Sequence, residues 1–133
     1  KIIIEKKISE YLDYFKESSE GFIRKWPKNF TLYGWLVAMQ SGGQLGAHIH
    51  KEGWLSGSLY FKMPQKRTKD EGNIVFSLDG ANYPKDGKSF PEESKKVNIG
   101  DLVMFPSSLF HRTVPFDSNE ERVSFAFDVI PVR

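Results

Sequence analysis

Residues 47–60 read AHIHKEGWLSGSLY, with His48 and His50 one residue apart. On an extended strand side chains alternate faces, so both imidazoles point the same way. That is the arrangement for two ligands on one metal ion. The only other histidine is His111, within GDLVMFPSSLFHRTVPF (100–116), which also reads as strand and turn. Three unrelated histidines, one of them hydrogen-bonded in the core, is the plainer reading, and for a lone histidine it would be preferred. A pair at spacing two with a third in a matching context favours a metal site. Imidazole suits iron, zinc, copper or nickel, and three ligands on one side leave positions open for substrate or oxygen.

A chain of 133 residues suits one domain, 1–133, and is long enough to bury a core. With 39% hydrophobic and 27% charged residues it is globular rather than disordered. The net charge is only +2, with acidic and basic residues interspersed, which is no footprint for nucleic acid or an anionic membrane. The absence of cysteine excludes disulfides, iron–sulfur clusters and a Cys nucleophile. No apolar run approaches a transmembrane span. KIIIEKK (1–7) is too short and too charged for a signal peptide, so a cytoplasmic location is expected. The chain does not begin with Met, which leaves room for a longer parent protein with a domain upstream.

Taken in order, residues 5–17 (EKKISEYLDYFKE) predict an amphipathic helix, with Ile8, Leu12 and Phe15 at helical spacing and Tyr11 beside them. Ser18, Ser19 and Gly21 end it, and Pro27 forbids helix beyond. From Thr31 the signals are β: TLYGWLVAMQ, the His48–His50 segment, WLSGSLYFKM, NIVFSL, VNIGDLVMFP, HRTVPF and ERVSFAFDVI. In WLSGSLYFKM, Ser56, Ser58 and Tyr60 share one face, and Leu55, Leu59 and Phe61 the other. ERVSFAFDVI is the cleanest alternation, with Val123, Phe125, Phe127 and Val129 opposite Arg122, Ser124, Ala126 and Asp128. ANYPKDGKSFPEESKK (81–96) reads as a surface loop or lid. About eight short strands after one helix predict a mainly β fold, a sandwich or jelly roll with a β core over about 31–130. The N-terminal helix packs outside, and the metal lies inside one mouth of the barrel.

GAHIHKEGWLSGSLYF, GDLVMFPSSLFH and RVSFAFDV together resemble the 2-oxoglutarate/Fe(II)-dependent oxygenase superfamily. The likeness is closest to its small bacterial and phage branch, which reads roughly H-x-H, LSGxYY, FPSxLxH and RxSxxF. The resemblance covers about residues 31–130. It implies a double-stranded β-helix, which is a cupin-like jelly-roll barrel, and Fe(II) and 2-oxoglutarate as cofactors. It further implies a dioxygenase that hydroxylates a small-molecule or peptide substrate. Residue by residue, His48 and His111 match two iron ligands, and His50 stands where most of the superfamily has Asp or Glu. Arg122 matches the basic residue that clamps the far carboxylate of 2-oxoglutarate, for which a guanidinium fork is suited. Ser124 faces the same way and offers a second hydrogen bond. Tyr60 matches a co-substrate-binding tyrosine, and Ser58 is a weaker candidate.

Plainer roles stand beside these. Arg122 could pair with Glu120 or Glu121 at the surface, and Tyr60 could be a core aromatic. Trp35 and Trp54 are expected to serve packing. Glu52, two past His50, could replace it as a carboxylate ligand, although Lys-Glu-Gly looks like a turn. Cupins are the rival family: Gly42, His48 and His50 fit their first motif, and Gly100, Pro106 and His111 their second. The expected glutamate is absent, with Trp54 and Leu55 in its place. A three-histidine cupin dioxygenase, resembling thiol dioxygenases, needs no 2-oxoglutarate and gives Arg122 and Ser124 no task. A third possibility is a metal-free binding or scaffold domain.

Overall fold

The computed structural model describes residues 1–132. Its strands are β1 (Phe30–Met39), β2 (Leu55–Lys62), β3 (Ile74–Ser77), β4 (Glu92–Lys95), β5 (Leu102–Pro106), β6 (Phe110–Thr113) and β7 (Arg122–Pro131). They form a four-stranded sheet in the order β1-β7-β2-β5 and a three-stranded sheet in the order β4-β3-β6. All pairings are antiparallel. This is the jelly-roll architecture expected from the sequence. The last strand lies at the centre of the large sheet. β7 pairs with β1 along its whole length, from Phe30↔Pro131 to Met39↔Arg122, and with β2 from Leu55↔Val129 onward. Its alternation follows from the different surroundings of its two faces: Phe127 and Val129 pack with Ile4 and Ile8, whereas Arg122 and Ser124 face the interior cavity.

On the outer face, Leu55, Phe127 and Val129 are buried against Ile4 and Ile8 of helix α1 (Ile2–Tyr14). The helix thus covers the sheet as expected, but three residues earlier than 5–17. Ile4 and Ile8 lie four residues apart on one helix face, so the KIII segment belongs to the amphipathic stripe. Phe15, expected inside the helix, is instead its C-cap, and Lys16 and Glu17 lie beyond it. A second, four-residue helix α2 (Gly21–Arg24) occupies the stretch read as a helix stop. It holds Phe22 against Trp26 and Trp54. Neither helix is long and apolar enough to cross a membrane among the described residues.

Two further corrections concern strands. The 81–96 segment is not wholly a loop, because Glu92–Lys95 form β4 and pair with β3. β4 is an exposed edge strand without an apolar face, so it carries no alternation to read. The His48–His50 segment is extended but is no strand; it joins β6 through a single bridge, His48↔His111.

Packing between strands explains Gly57. In register with Phe127, it sits under that ring. A Cβ there would lie 2.5 Å from Phe127 Cε1 and 3.0 Å from the Val103 carbonyl oxygen. Gly57→Ala is therefore expected to destabilise the fold by about 1–3 kcal/mol through overpacking. A lower urea midpoint at unchanged slope would register this; an unaltered midpoint would show that Phe127 can move aside.

Candidate metal centre

β6 and the segment before β2 bring the three histidines together. The amides of His48 and His111 each donate to the other's carbonyl at 3.1 Å, and the His50 amide donates to the Ser107 carbonyl at 3.0 Å. These backbone bonds fix both histidines of the pair against the third. Ring centroids lie 4.2 Å apart for His48 and His111, 5.0 Å for His50 and His111, and 5.2 Å for His48 and His50. One nitrogen from each ring lies within 4.8 Å of the others, an arrangement that could hold a metal ion.

Each ring also has a defined partner for its other nitrogen. His48 Nδ1 lies 2.7 Å from the Gly46 carbonyl oxygen, and His111 Nδ1 lies 3.2 Å from the Leu109 carbonyl oxygen. His50 Nδ1 lies 2.7 Å from Asp128 Oδ1. A carbonyl can only accept, so Nδ1 of His48 and His111 must be the protonated nitrogen. The same tautomer of His50 lets it donate to the Asp128 carboxylate. All three Nε2 atoms then keep a free lone pair, as metal ligation requires. Burial pushes the His111 pKa down to about 4, with the Leu109 carbonyl opposing, so this ring is neutral at physiological pH. The donor set fits a borderline metal such as ferrous iron.

The histidines open into a cavity of about 230 Å³ that also reaches Arg122, Ser124, Tyr60 and Ser58. All four were singled out from sequence, and the alternations of β2 and β7 turn them to this side. Arg122 is 3% exposed, which excludes the surface pairing with Glu120 or Glu121. Those carboxylates serve elsewhere: Glu120 accepts from the Gln65 amide, and Glu121 from Gln40 and Lys62. Arg122 Nε donates to the Gly72 carbonyl at 3.2 Å, and the guanidinium lies 4.9 Å from the Tyr60 ring centroid. No carboxylate pairs with it among the described residues. Burial lowers the Arg122 pKa and raises that of Tyr60, which stays a neutral phenol beside the cation.

Trp35 corrects the sequence reading. Expected to pack, it lines the cavity, with its ring 5.7 Å from His50. The period-two pattern of β1 puts it on the same face as Val37 and Met39, which also border the cavity. Trp54 packs as expected, stacking on Phe22 and donating to its carbonyl at 3.1 Å. Glu52 is exposed in a turn and lies outside the histidine cluster, so it does not replace His50.

One participant was missed. Asp128 was placed on the site face of β7 but given no task. Its Oδ1 takes the His50 contact and also accepts from Ser56 Oγ at 2.6 Å. Ser56 Oγ is in turn 2.8 Å from Ser107 Oγ. The available signal was register: Asp128 is directly opposite Ser56, whose own position six residues after His50 brings it back to the site.

Comparison with known proteins identifies the family. A family model described as "Putative 2OG-Fe(II) oxygenase" matches residues 33–128. A PKHD-type hydroxylase from Teredinibacter turnerae is 30% identical over 108 residues, covering 75% of this chain and 41% of that protein. The chain thus spans about two-fifths of the length of this curated relative. Among solved structures, a Pseudomonas putida prolyl-4-hydroxylase superposes with a TM-score of 0.56 at 17% identity, over 80% of this chain and 54% of its own. HygX from Streptomyces hygroscopicus, solved with iron bound, gives a TM-score of 0.59 at 15% identity, over 78% of this chain and 59% of its own. At such identities these two structures speak for the fold. The family match, spanning the β core and all three histidines, carries the assignment: the chain belongs to the 2-oxoglutarate/Fe(II) oxygenases, enzymes whose cofactors are ferrous iron and 2-oxoglutarate.

Proposed function

We propose that this chain hydroxylates a small-molecule or peptide substrate, with His48, His50 and His111 holding the iron and Arg122 and Ser124 holding the far carboxylate of 2-oxoglutarate. The observation that carries this reading is Arg122, a buried cation without a carboxylate partner among the described residues, in the cavity that the three histidines line. Burying an unpaired charge is costly, and a dicarboxylate entering the cavity would supply the missing partner. Ser124, 2% exposed and two residues along the same strand face, offers a hydroxyl to the same group. Tyr60 stacks its ring under the guanidinium and holds the fork in place. Ser58 also lines the cavity, as a further hydroxyl.

When bound, ferrous iron with 2-oxoglutarate supplies oxidative decarboxylation of the keto acid coupled to oxygen insertion into a substrate C–H bond. The chain's own residues position and shield. The three Nδ1 hydrogen bonds fix the ring orientations, and Val37, Ile74 and Phe105 give the cavity an apolar wall. Trp35 presents an aromatic wall next to His50.

A three-histidine set without a ligating carboxylate also suits a cupin-type dioxygenase that dispenses with 2-oxoglutarate. The buried Arg122 favours the first reading, since an enzyme of that type brings no 2-oxoglutarate carboxylate to pair with it. The deciding measurement is conversion of 2-oxoglutarate to succinate by anaerobically iron-loaded protein after admission of oxygen. Uncoupled turnover above the metal-free control is expected. Tight iron binding with neither binding nor turnover of 2-oxoglutarate would transfer the assignment to the cupin type. Absence of stoichiometric metal, with the fold unchanged by chelation, would leave a metal-free binding domain.

A further inference from the structure

We propose that Asp128 is a positioning residue that carries, one side chain away from the metal, the negative charge a ligating carboxylate would otherwise bring. The inference rests on the reading of the three histidines as iron ligands. An iron site of two imidazoles and one carboxylate has one unit of ligand charge. Three neutral imidazoles have none. Of the three rings, His48 and His111 direct Nδ1 at backbone carbonyls, which are neutral. Only His50, which occupies the position where the superfamily usually has the carboxylate, directs Nδ1 at a charged group, Asp128, at 2.7 Å.

The surroundings are built for this contact. Asp128 is 7% exposed and Ser56 1% exposed. Ser56 Oγ donates to the same Oδ1 at 2.6 Å and touches Ser107, so the carboxylate is held from a second side. Gly53 leaves the room, because a Cβ there would lie 2.5 Å from Ser107 Oγ and 3.4 Å from Asp128 Cγ. A carboxylate accepting the Nδ1 proton draws it away from the ring, enriches Nε2 in electron density and makes His50 a stronger donor than its two neighbours. The site then retains its anionic character while the ligand atom is nitrogen.

The test compares iron affinity across four proteins: the parent, Asp128→Asn, His50→Asp and the double variant, titrated anaerobically with Fe(II). Asparagine keeps the shape of the side chain and an acceptor oxygen but loses the charge. Asp128→Asn is expected to weaken Fe(II) binding by roughly 10–100-fold, the range for partners behind a ligand. It is also expected to raise the Fe(III)/Fe(II) potential, since removing an anion disfavours the ferric ion. In the His50→Asp background, where the charge has moved to the ligand, Asp128→Asn is expected to cost nothing or to tighten binding. An equal loss in both backgrounds would make Asp128 merely structural and overturn the proposal, as would parent affinity in Asp128→Asn. If the parent itself binds no iron, the ligand assignment fails and this inference falls with it, an outcome distinct from parent-like affinity in Asp128→Asn. A measurement on the unmodified protein guards against variants that do not fold. In the zinc-loaded parent, the Nδ1 proton of His50 is expected far downfield of those of His48 and His111 by proton NMR. Three similar shifts would overturn the proposal.

Discussion

His111→Ala is expected to abolish stoichiometric iron binding. His111 is the one ligand candidate delivered by the small sheet, whereas His48 and His50 share one short segment. Without it, two imidazoles remain on one side of the cavity, and no carboxylate lies within the cluster to take its place. His48→Ala is expected to do the same. Anaerobic titration with Fe(II) should saturate near one ion per parent chain and show no saturable binding in either variant. His111 packs on Phe105 at 4.6 Å between centroids, so the alanine leaves a small void. A melting curve of the apo protein separates that loss from loss of metal. Parent-like iron affinity in both variants would remove these histidines from the site.

Arg122→Leu is expected to leave iron binding intact and to weaken 2-oxoglutarate binding severely. Truncating one partner of a buried, hydrogen-bonded charge pair costs about 2–5 kcal/mol. By affinity arithmetic this is a fall of roughly 30-fold or more. Lysine should rescue in part, because it keeps the charge and loses the bidentate fork. The apo protein should respond in the opposite sense. Its Arg122 is a desolvated cation with a backbone carbonyl and an aromatic face for company, so an apolar replacement should be neutral or mildly stabilising. Calorimetric titration of 2-oxoglutarate into the iron-loaded protein, with melting of the apo variants, measures both. Binding indifferent to Arg122 would move the clamp elsewhere in the cavity.

Much of this site was legible because strands make period-two patterns visible. His48 and His50 at spacing two, Ser58 and Tyr60 on β2, and Arg122 and Ser124 on β7 each announce a shared face without any knowledge of the partner strand. Edges and ends were harder. β4 has only polar, exposed residues, and its existence depends on the hydrogen-bonding groups of β3. The helix began earlier than read because Ile4 is drawn in by the sheet it covers, and that sheet comes from residues 55 and 127–129.

The sequence by itself determined the class of fold, the three candidate nitrogen donors and the faces on which the candidate co-substrate residues lie, since all of these follow from local alternation and residue chemistry. Tertiary structure decided which members of those faces meet. It turned Trp35 from a packing residue into a cavity wall and decided for the buried over the surface placement of Arg122. It also set Asp128 behind His50, 78 residues away in the chain. The physical reason is register: the pairing of β7 with both β1 and β2 fixes which side chains stand opposite one another, and no local pattern encodes it.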